Sequence, residues 1–212
     1  MLSHDNITWT SRICMEQYSW HQERILSYLP LSHLAGLLID GYVSICAGNE
    51  VHYSDENVLK TSLVENLKRV RPTRIVGVPR VWEKIAEKMQ QAGKANTGLK
   101  KAVGDWAKNV ATKHHTMIRE GKLKPNEKDW QYELAKKLVF NKIHDALGLD
   151  QTKKNPIGTM SGAAPLNIET FMYFQSIDLL LPELYGCSES SGPSTTNMPG
   201  NKKPKFLIPM DK

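Results

Sequence analysis

The sequence has few cysteines and no long apolar run. Its three cysteines, Cys14, Cys46 and Cys187, show no CxxC spacing, so they indicate neither a disulfide framework nor a zinc site. A transmembrane helix needs about 20 mostly apolar residues. The best candidate, residues 34–48, is shorter and contains Asp40. The N-terminus also lacks the cationic start and apolar stretch of a signal peptide. We therefore expect a soluble, cytoplasmic protein.

Acidic residues are scarce between residues 94 and 124, where eight Lys and Arg are opposed by only Asp105 and Glu120. The whole 212-residue chain has 28 Lys and Arg against 22 Asp and Glu, a net charge of +6. Such a balance favours anionic partners, such as a nucleotide, coenzyme A, an acidic lipid or nucleic acid. Because the basic stretch has no aromatic residue other than Trp106, it favours a solvated face or a contact with an acidic membrane. We do not expect nucleic-acid binding.

Helical periods alternate with short β-type runs along the chain. The spacing predicts helices over residues 5–22, 33–46, 59–70, 99–120, 127–147 and 166–176. Another helix begins at Pro79, carries Trp82 on its packed side, and ends before a loop that Gly93 and Gly98 bracket. It predicts strands over residues 24–29, 50–53, 74–78 and 157–160. In the 127–147 helix, the residues Trp130, Leu134, Leu138 and Leu147 mark the inward side. This alternation indicates an α/β fold, a mostly parallel sheet flanked by helices. Residues 197–212 have no period and predict an irregular tail.

Two loops of small residues follow predicted strands, where ligands collect in parallel sheets. The first, residues 161–165, is a turn that would let a planar or anionic ligand approach the backbone, although a plain turn explains it equally well. The second, residues 185–192, adds hydroxyls and backbone N–H groups that could form an anion nest. Within it, Glu189 suits Mg²⁺, which prefers one or two carboxylates together with phosphate oxygens and water. A solvated loop charge is the alternative for Glu189.

The chain resembles the AMP-forming acyl-CoA synthetases of the adenylate-forming superfamily, especially the long-chain fatty acyl-CoA synthetases of the bubblegum type. Four stretches carry the resemblance, in the order in which the family has them. They are residues 1–7 (MLSHDNI), 28–33 (YLPLSH), 76–84 (VGVPRVWEK), and 161–166 (SGAAPL) with 183–193 (ELYGCSESSGP). The resemblance implies a ligase that uses ATP, Mg²⁺ and coenzyme A to convert a long-chain fatty acid into acyl-CoA, AMP and pyrophosphate. It also implies a peripheral place on the endoplasmic reticulum or another intracellular membrane.

The resemblance implies roles for nine residues. Catalysis would involve Glu189, as the Mg²⁺ ligand, and His33, near the fatty carboxylate; for His33 a core or capping role is nearly as well supported. Tyr185 would stack on adenine and Glu183 would accept a hydrogen bond from its amino group. The remaining nucleotide-binding positions would be Gly162, Ala163, Ala164, Gly186 and Ser188. Residues 33–46 would wall the acyl channel, although an apolar helix is equally typical of a core.

Parts of the family's pattern are missing from this sequence. In the family, a phosphate loop ending in Pro-Lys-Gly stands just before the stretch that matches Met1. A ribose-binding aspartate and a small C-terminal domain with a catalytic lysine follow the matched part. We therefore expect residues 1–196 to be a partial adenylation domain, with a basic helical insertion at about 94–147 and the tail at 197–212. Without those parts, we expect ATP affinity to collapse and ligase activity to be undetectable in this chain alone.

Two alternatives belong to other functional classes. The first is a non-catalytic fragment that keeps an acyl- or nucleotide-binding surface and modulates a full-length relative. The second is a serine hydrolase, which needs a Gly-x-Ser-x-Gly turn. The stretch from Gly186 to Ser190 has serine where the last glycine belongs, so the sequence disfavours a hydrolase.

Overall fold

The computed structural model describes residues 1–55, 58, 62–124, 127, 129–155 and 157–197, together with the backbone of residues 205–206. Two strands form one parallel sheet: β1 (Arg24–Ser27) and β2 (Glu50–Tyr53). The second sheet has the order β3 (Ile75–Gly77), β4 (Thr159–Gly162), β5 (Glu183–Cys187), β6 (Gly192–Thr196) and β7 (Lys205–Phe206).

Parallel pairing predominates, as the alternation of strands and helices predicts. Strands β3, β4 and β5 are parallel, whereas β6 and β7 are antiparallel to their neighbours. An isolated parallel bridge between Ile25 and Arg74 connects the two sheets. The carboxyl ends of β4 and β5 therefore lie side by side at one edge.

The helices begin and end close to the predicted positions. Helix α2 covers residues 34–47 and comprises Leu34–Gly36, the π-helical Leu37–Val43 and Ser44–Ala47. Helix α6 covers residues 130–147 and comprises Trp130–Ala135, the π-helical Lys136–Phe140 and Asn141–Leu147. The other α-helices are α1 (His4–Tyr18), α3 (Leu63–Val70), α4 (Pro79–Lys94), α5 (Gly98–Arg119) and α7 (Ile168–Ser176). The predicted start of α3 near Leu59 lies outside the described residues.

Boundaries differ from the predicted ones at α1, α4 and β4, and by two or three residues at β1, α6 and α7. Helix α1 ends at Tyr18 rather than at residue 22, because Ser19 takes the left-handed conformation with φ 51°. Helix α4 continues through Gly93, which the sequence places in a loop. Strand β4 covers residues 159–162 rather than 157–160, so the small-residue loop begins after Gly162.

Helices cover both faces of the connected sheets. Side chains of successive strand residues point to opposite faces. On β3, Ile75 packs with α3, α4 and α7, whereas Val76 packs with α1 and α2. On β1, Leu26 and Ile25 divide between the same two clusters. The α/β architecture with helices on both faces is therefore confirmed.

Helix α6 turns a different side inward from the one that its apolar spacing predicts. Of the predicted inward residues, Leu147 is buried, but Trp130, Leu134 and Leu138 are 72%, 40% and 45% exposed. The side that carries the fully buried Ala135 faces inward instead, already before the π-helical segment. Through that segment, whose wider turn takes up an additional residue, the inward side continues at the fully buried Phe140. The prediction is wrong for these three residues.

Of the tail predicted to be irregular, the backbone of Lys205–Phe206 pairs with β6, and nearly all of the rest lies outside the described residues. Within the described parts of the chain, no helix combines the length and the apolar character that a bilayer-spanning segment requires.

Buried polar groups attach α5 and α6 to the segment that precedes β5. The Asp178 carboxylate accepts hydrogen bonds from the Tyr132 hydroxyl and from His115 Nε2, the latter at 3.0 Å. The Nε2 of His144, which is fully buried, donates to the Ile177 carbonyl at 2.8 Å. Burial, together with the nearby Lys153 ammonium, lowers the pKa of His144 to about 4. The helical pair is therefore held by groups that respond to acid.

We predict that His144 makes the protein acid-labile. Its folded pKa of about 4 lies below the ordinary value of about 6.5, so between these values the unfolded chain binds more protons than the folded one. The stability contribution of the neutral imidazole is complete above about pH 6.5 and is lost as the pH falls toward 4. From about pH 7 to about pH 5, the contribution of His144 to the free energy of unfolding should fall by about 2 kcal/mol.

Urea unfolding of a His144→Gln variant checks this expectation. Glutamine keeps an N–H for the Ile177 carbonyl but does not titrate, so this variant should lose markedly less stability over the same pH interval. The exposed His21 provides the matched control substitution, His21→Gln. An unaltered pH dependence in His144→Gln would contradict the assignment.

Candidate functional site

A cavity of about 400 Å³ opens where the carboxyl ends of β4 and β5 meet. Its walls are mostly apolar and come from α1, α2, β3, β4 and the loops before β1 and α2. They include Cys14, Tyr18, Trp20, Leu29, Leu34, Leu38, Ile39, Val43, Val76 and Met160. Its polar lining comes from His33, Ser188 and Glu189. The cavity thus joins an apolar interior to a polar mouth.

Six of the nine sequence-predicted site residues line this cavity. They are His33, Gly162, Ala163, Gly186, Ser188 and Glu189. The other three, Ala164, Glu183 and Tyr185, lie outside it. The structure therefore brings together residues up to 156 positions apart in the chain, but it leaves three of the nine predicted residues outside the cavity.

His33 is a helix cap as well as a cavity residue. It occupies the N-cap position of α2, and its Nδ1 accepts a hydrogen bond from the Ala35 N–H at 3.1 Å. This fixes the ring at the mouth of the cavity. The capping role that the sequence left open is present, and a substrate contact stays a prediction.

Strand alternation explains why Tyr185 lies outside the cavity. Leu184 and Gly186 face the cavity, so Tyr185, between them, faces the other way and is 76% exposed. Nearby, the Glu183 carboxylate accepts a hydrogen bond from the Leu166 N–H at 3.0 Å. Glu183 therefore ties the loop after β4 to β5. An adenine contact by either side chain stays a prediction.

The loop between β5 and β6 is shaped by Ser190. Its hydroxyl accepts a hydrogen bond from the Cys187 N–H at 3.2 Å and lies 2.9 Å from the Gly192 carbonyl oxygen. Ser188 and Glu189 at the tip are exposed and face the cavity mouth. Hydrogen bonds from its own backbone N–H and from the Cys187 thiol lower the pKa of Glu189, so the carboxylate is ionised at neutral pH.

The donor set at Glu189 fits Mg²⁺ only together with a bound phosphate. The described residues contain no group of three or more His, Cys, Asp or Glu side chains that could hold a metal by themselves. Mg²⁺ commonly uses one or two carboxylates plus substrate phosphates and keeps several waters. A single exposed, ionised carboxylate at the mouth is compatible with that mode, and it does not form a metal cage.

Gly186 is required by the protein itself. A Cβ at this position would lie 2.0 Å from the Gly192 carbonyl oxygen, so only glycine lets the β5 and β6 backbones approach so closely. The sequence assigns this glycine to the approach of a ligand, and the structure gives it a packing role. At Gly162, a Cβ would meet Leu184 Cβ at 3.3 Å, a far milder contact.

The wall contributed by α1 was missed by the sequence analysis. Cys14 and Tyr18 lie four residues apart on the buried side of α1, a spacing typical of any core-facing helix. Burial raises the pKa of the Cys14 thiol to about 12, which makes it an inert apolar surface. Trp20 is held by the Arg74 guanidinium, which lies 4.5 Å from the centre of the indole ring. Arg74 in turn is bound to Glu23 at 2.9 Å.

Trp82, for which the sequence favours helix packing, is a core residue. It is fully buried, its Nε1 donates to the Met160 carbonyl at 3.2 Å, and its ring meets Phe174 edge-on at 5.5 Å. It therefore supports β4 from the face opposite the cavity.

Comparison with known proteins gives a consistent family. The sequence model described as "AMP-binding enzyme" matches residues 1–208. The chain is 41% identical over 204 residues to the long-chain-fatty-acid–CoA ligase ACSBG2 of Gallus gallus, covering 94% of this chain and 26% of that protein. It is 41% identical over 203 residues to ACSBG2 of Homo sapiens, covering 95% and 29%. It is 37% identical over 206 residues to ACSBG1 of Rattus norvegicus, covering 95% and 28%. The chain thus spans less than a third of the length of these curated relatives.

Solved structures share the fold. Apo MatB from Rhodopseudomonas palustris superposes with a TM-score of 0.54 at 17% identity, covering 93% of this chain and 28% of that one. An adenylation domain of a keto acid-selecting NRPS module, bound to keto acyl adenylate, gives a TM-score of 0.54 at 13% identity, covering 95% and 30%. At these identities the likeness concerns the fold alone.

We predict that Gly186→Ala opens the hairpin that carries Ser188 and Glu189. The added methyl group cannot be accommodated against the Gly192 backbone, so the free energy of unfolding should fall by about 1–3 kcal/mol or more. Gly162→Ala, whose contact is a movable side chain, should cost less than Gly186→Ala. Urea unfolding compares the two variants, and equal losses would show that the close backbone approach is not limiting.

Proposed function

The chain belongs to the AMP-binding enzyme family, and we propose that it carries the acyl-binding wall and part of the nucleotide-binding loop of a long-chain-fatty-acid–CoA ligase. In this proposal a fatty carboxylate attacks the α-phosphorus of ATP, which forms an acyl-adenylate and releases pyrophosphate. The sulfur of coenzyme A then attacks the acyl carbon, and AMP leaves. The identity to ACSBG ligases supports the substrates, and the chain's short coverage of those relatives keeps the complete reaction a proposal.

One observation carries the proposal: an apolar cavity opens directly onto a mouth of small residues and polar groups. A long hydrocarbon chain gains free energy of about 0.8 kcal/mol for each CH₂ that leaves water. An apolar interior of about 400 Å³ supplies that environment. The carboxylate of such a chain would emerge at the mouth, where Ser188 and Glu189 lie. The cavity also opens at the carboxyl edge of the parallel strands, the usual ligand position of such sheets.

The nucleotide would lie at the edge formed by the two small-residue loops. We assign adenine stacking to Tyr185, whose ring is exposed on the side of β5 that faces away from the cavity. The backbone of Gly162, Ala163 and Ala164 would form the wall beside the purine, since these residues present almost no side chain. Glu183 would accept from the adenine amino group with the carboxylate that already orients the Leu166 N–H.

The phosphates would lie at the hairpin tip. Ser188 would donate to a phosphate oxygen, and Glu189 would hold Mg²⁺, which neutralises phosphate charge when it is bound. His33, whose ring is fixed by its capping hydrogen bond, would lie beside the fatty carboxylate. Positioning and charge neutralisation are the protein's principal contributions to chemistry at phosphorus.

A second candidate function is a non-catalytic acyl-binding chain. The walls of the apolar cavity come entirely from this chain, whereas the predicted nucleotide contacts are few and exposed. Separate measurements of fatty-acid and Mg-ATP binding distinguish the two functions. Fatty-acid binding without acyl-adenylate formation by the 212-residue chain favours the second.

We predict that partly filling the cavity weakens fatty-acid binding. Ala35 lines the cavity from α2, and Ala35→Trp should fill part of the space and weaken binding of a fluorescent long-chain fatty acid by about tenfold. The matched control is Cys46→Trp, an exposed position on the same helix that does not line the cavity.

Equal affinity in the two variants, both folded by circular dichroism, contradicts the proposal. The nucleotide part has its own test, because Glu189→Gln should weaken the Mg-ATP binding that the parent chain retains. The exposed Glu169 on α7 provides the control substitution, Glu169→Gln.

A further inference from the structure

Helix α6 carries an exposed apolar stripe that the fold leaves uncovered. Trp130, Leu134 and Leu138 follow one another at four-residue intervals and are 72%, 40% and 45% exposed. On the other side of the helix, Ala135 and Phe140 pack against α5 and are fully buried. The outward position of the stripe is therefore fixed by packing, because turning it inward would expose that small core.

Almost all of the chain's excess positive charge belongs to the same helical pair. Residues 98–147 contain eleven Lys or Arg and six Asp or Glu, a net charge of +5, whereas the whole chain carries +6. Lys137 and Asn141 share a shallow groove with Trp130 and Leu134. The one carboxylate of that groove, Glu133, lies 3.5 Å from Lys136 Nζ.

The lysines beside the stripe are free to meet an external anion. Lys137 and Lys142 are both exposed, and within the part of the chain that the structure describes neither forms an ion pair. A lysine side chain can lay its aliphatic part along an apolar surface while its ammonium reaches outward. The stripe thus combines hydrocarbon with unpaired positive charge.

We propose that this face of α6 is a docking surface for an acidic phospholipid bilayer. Tryptophan is enriched at the boundary between headgroups and acyl chains, and leucine at the next turns would enter the hydrocarbon. Lysines near an acidic leaflet are attracted to its surface, so the charges and the stripe together give the two signals that stable attachment requires.

The other candidate occupants fit this face less well. A second copy of the chain would bring the same unpaired lysines toward one another. A nucleic acid would satisfy the charge but would leave Leu134 and Leu138 against water. The inference does not depend on the proposed ligase activity, although long-chain fatty acids also dissolve in bilayers.

Vesicle co-sedimentation of the 212-residue chain tests the inference. Vesicles of phosphatidylcholine with about 30 mol% phosphatidylserine should bind the protein, whereas pure phosphatidylcholine should bind it about tenfold more weakly. Binding should weaken as salt rises from about 0.1 M to about 0.5 M, because the electrostatic part is screened. Trp130 emission should shift to shorter wavelength on acidic vesicles, and the shift should be absent in Trp130→Phe.

Two pairs of variants separate the stripe and its charges from the rest of the surface. The triple variant Trp130→Ser, Leu134→Ser, Leu138→Ser should lose about tenfold or more in affinity for the acidic vesicles. The control, Ile45→Ser with Ile168→Ser, removes side chains that are 80% and 67% exposed elsewhere and should bind like the parent.

The charge pair isolates the lysines. Lys137→Glu with Lys142→Glu should weaken binding about tenfold, and the exposed Lys88→Glu should not. Because these side chains are exposed, we expect unchanged circular dichroism in every variant. Equal binding by the triple variant and its control overturns the inference. So does a concentration-dependent dimer that the triple variant abolishes while acidic vesicles bind nothing, since the face would then belong to a second copy.

Discussion

The close approach of two backbones at Gly186 is the constraint on which the candidate site depends. With no side chain at this position, β5 and β6 can pair through the point where a Cβ would lie 2.0 Å from the Gly192 carbonyl oxygen. The hairpin that results carries Ser188 and Glu189 to the carboxyl edge of β4 and β5. Ser190 keeps the hairpin closed by bonding to backbone on both sides of the turn. Gly186, which the sequence predicts to contact a ligand, is therefore needed for the pairing of β5 with β6, and this pairing holds the loop in place.

Buried charge surrounds the apolar cavity without entering it. Asp40 stands on the helix that forms one wall, but its carboxylate points to Ser27, whose hydroxyl donates to it at 2.7 Å. Burial raises the pKa of Asp40 to about 6. On another side, Arg74 is neutralised by Glu23 and lies against the ring of Trp20. Trp20 is itself one of the residues that line the cavity. Polar groups thus hold the walls in place while the lining itself stays apolar, as a hydrocarbon ligand requires.

Local rules predicted most of the elements and failed where long-range packing decides. Ser3 caps α1, because a hydroxyl just before a helix reaches a first-turn N–H. The apolar spacing of α6 was misleading, since Ala135 and Phe140 pack inward against α5 and leave Trp130 outside. In the site, the family resemblance pointed to His33, Ser188 and Glu189, which line the cavity, but not to Cys14, Tyr18 or Trp20, whose apolar side chains carry no chemical signature. Once the bounds of β5 are known, strand alternation explains why Tyr185 faces away from the cavity that Leu184 and Gly186 line.

The sequence by itself determined the family, the alternation of strands and helices, and the residues of the two small-residue loops. These properties are local, since a cap, a glycine or an apolar period acts within a few residues. Only the tertiary structure decided that α1 closes the cavity, that Gly186 is needed by a neighbouring strand, and that one side of α6 faces solvent. Each of these depends on which distant segments come into contact, and a repeating pattern of side chains does not specify its partner.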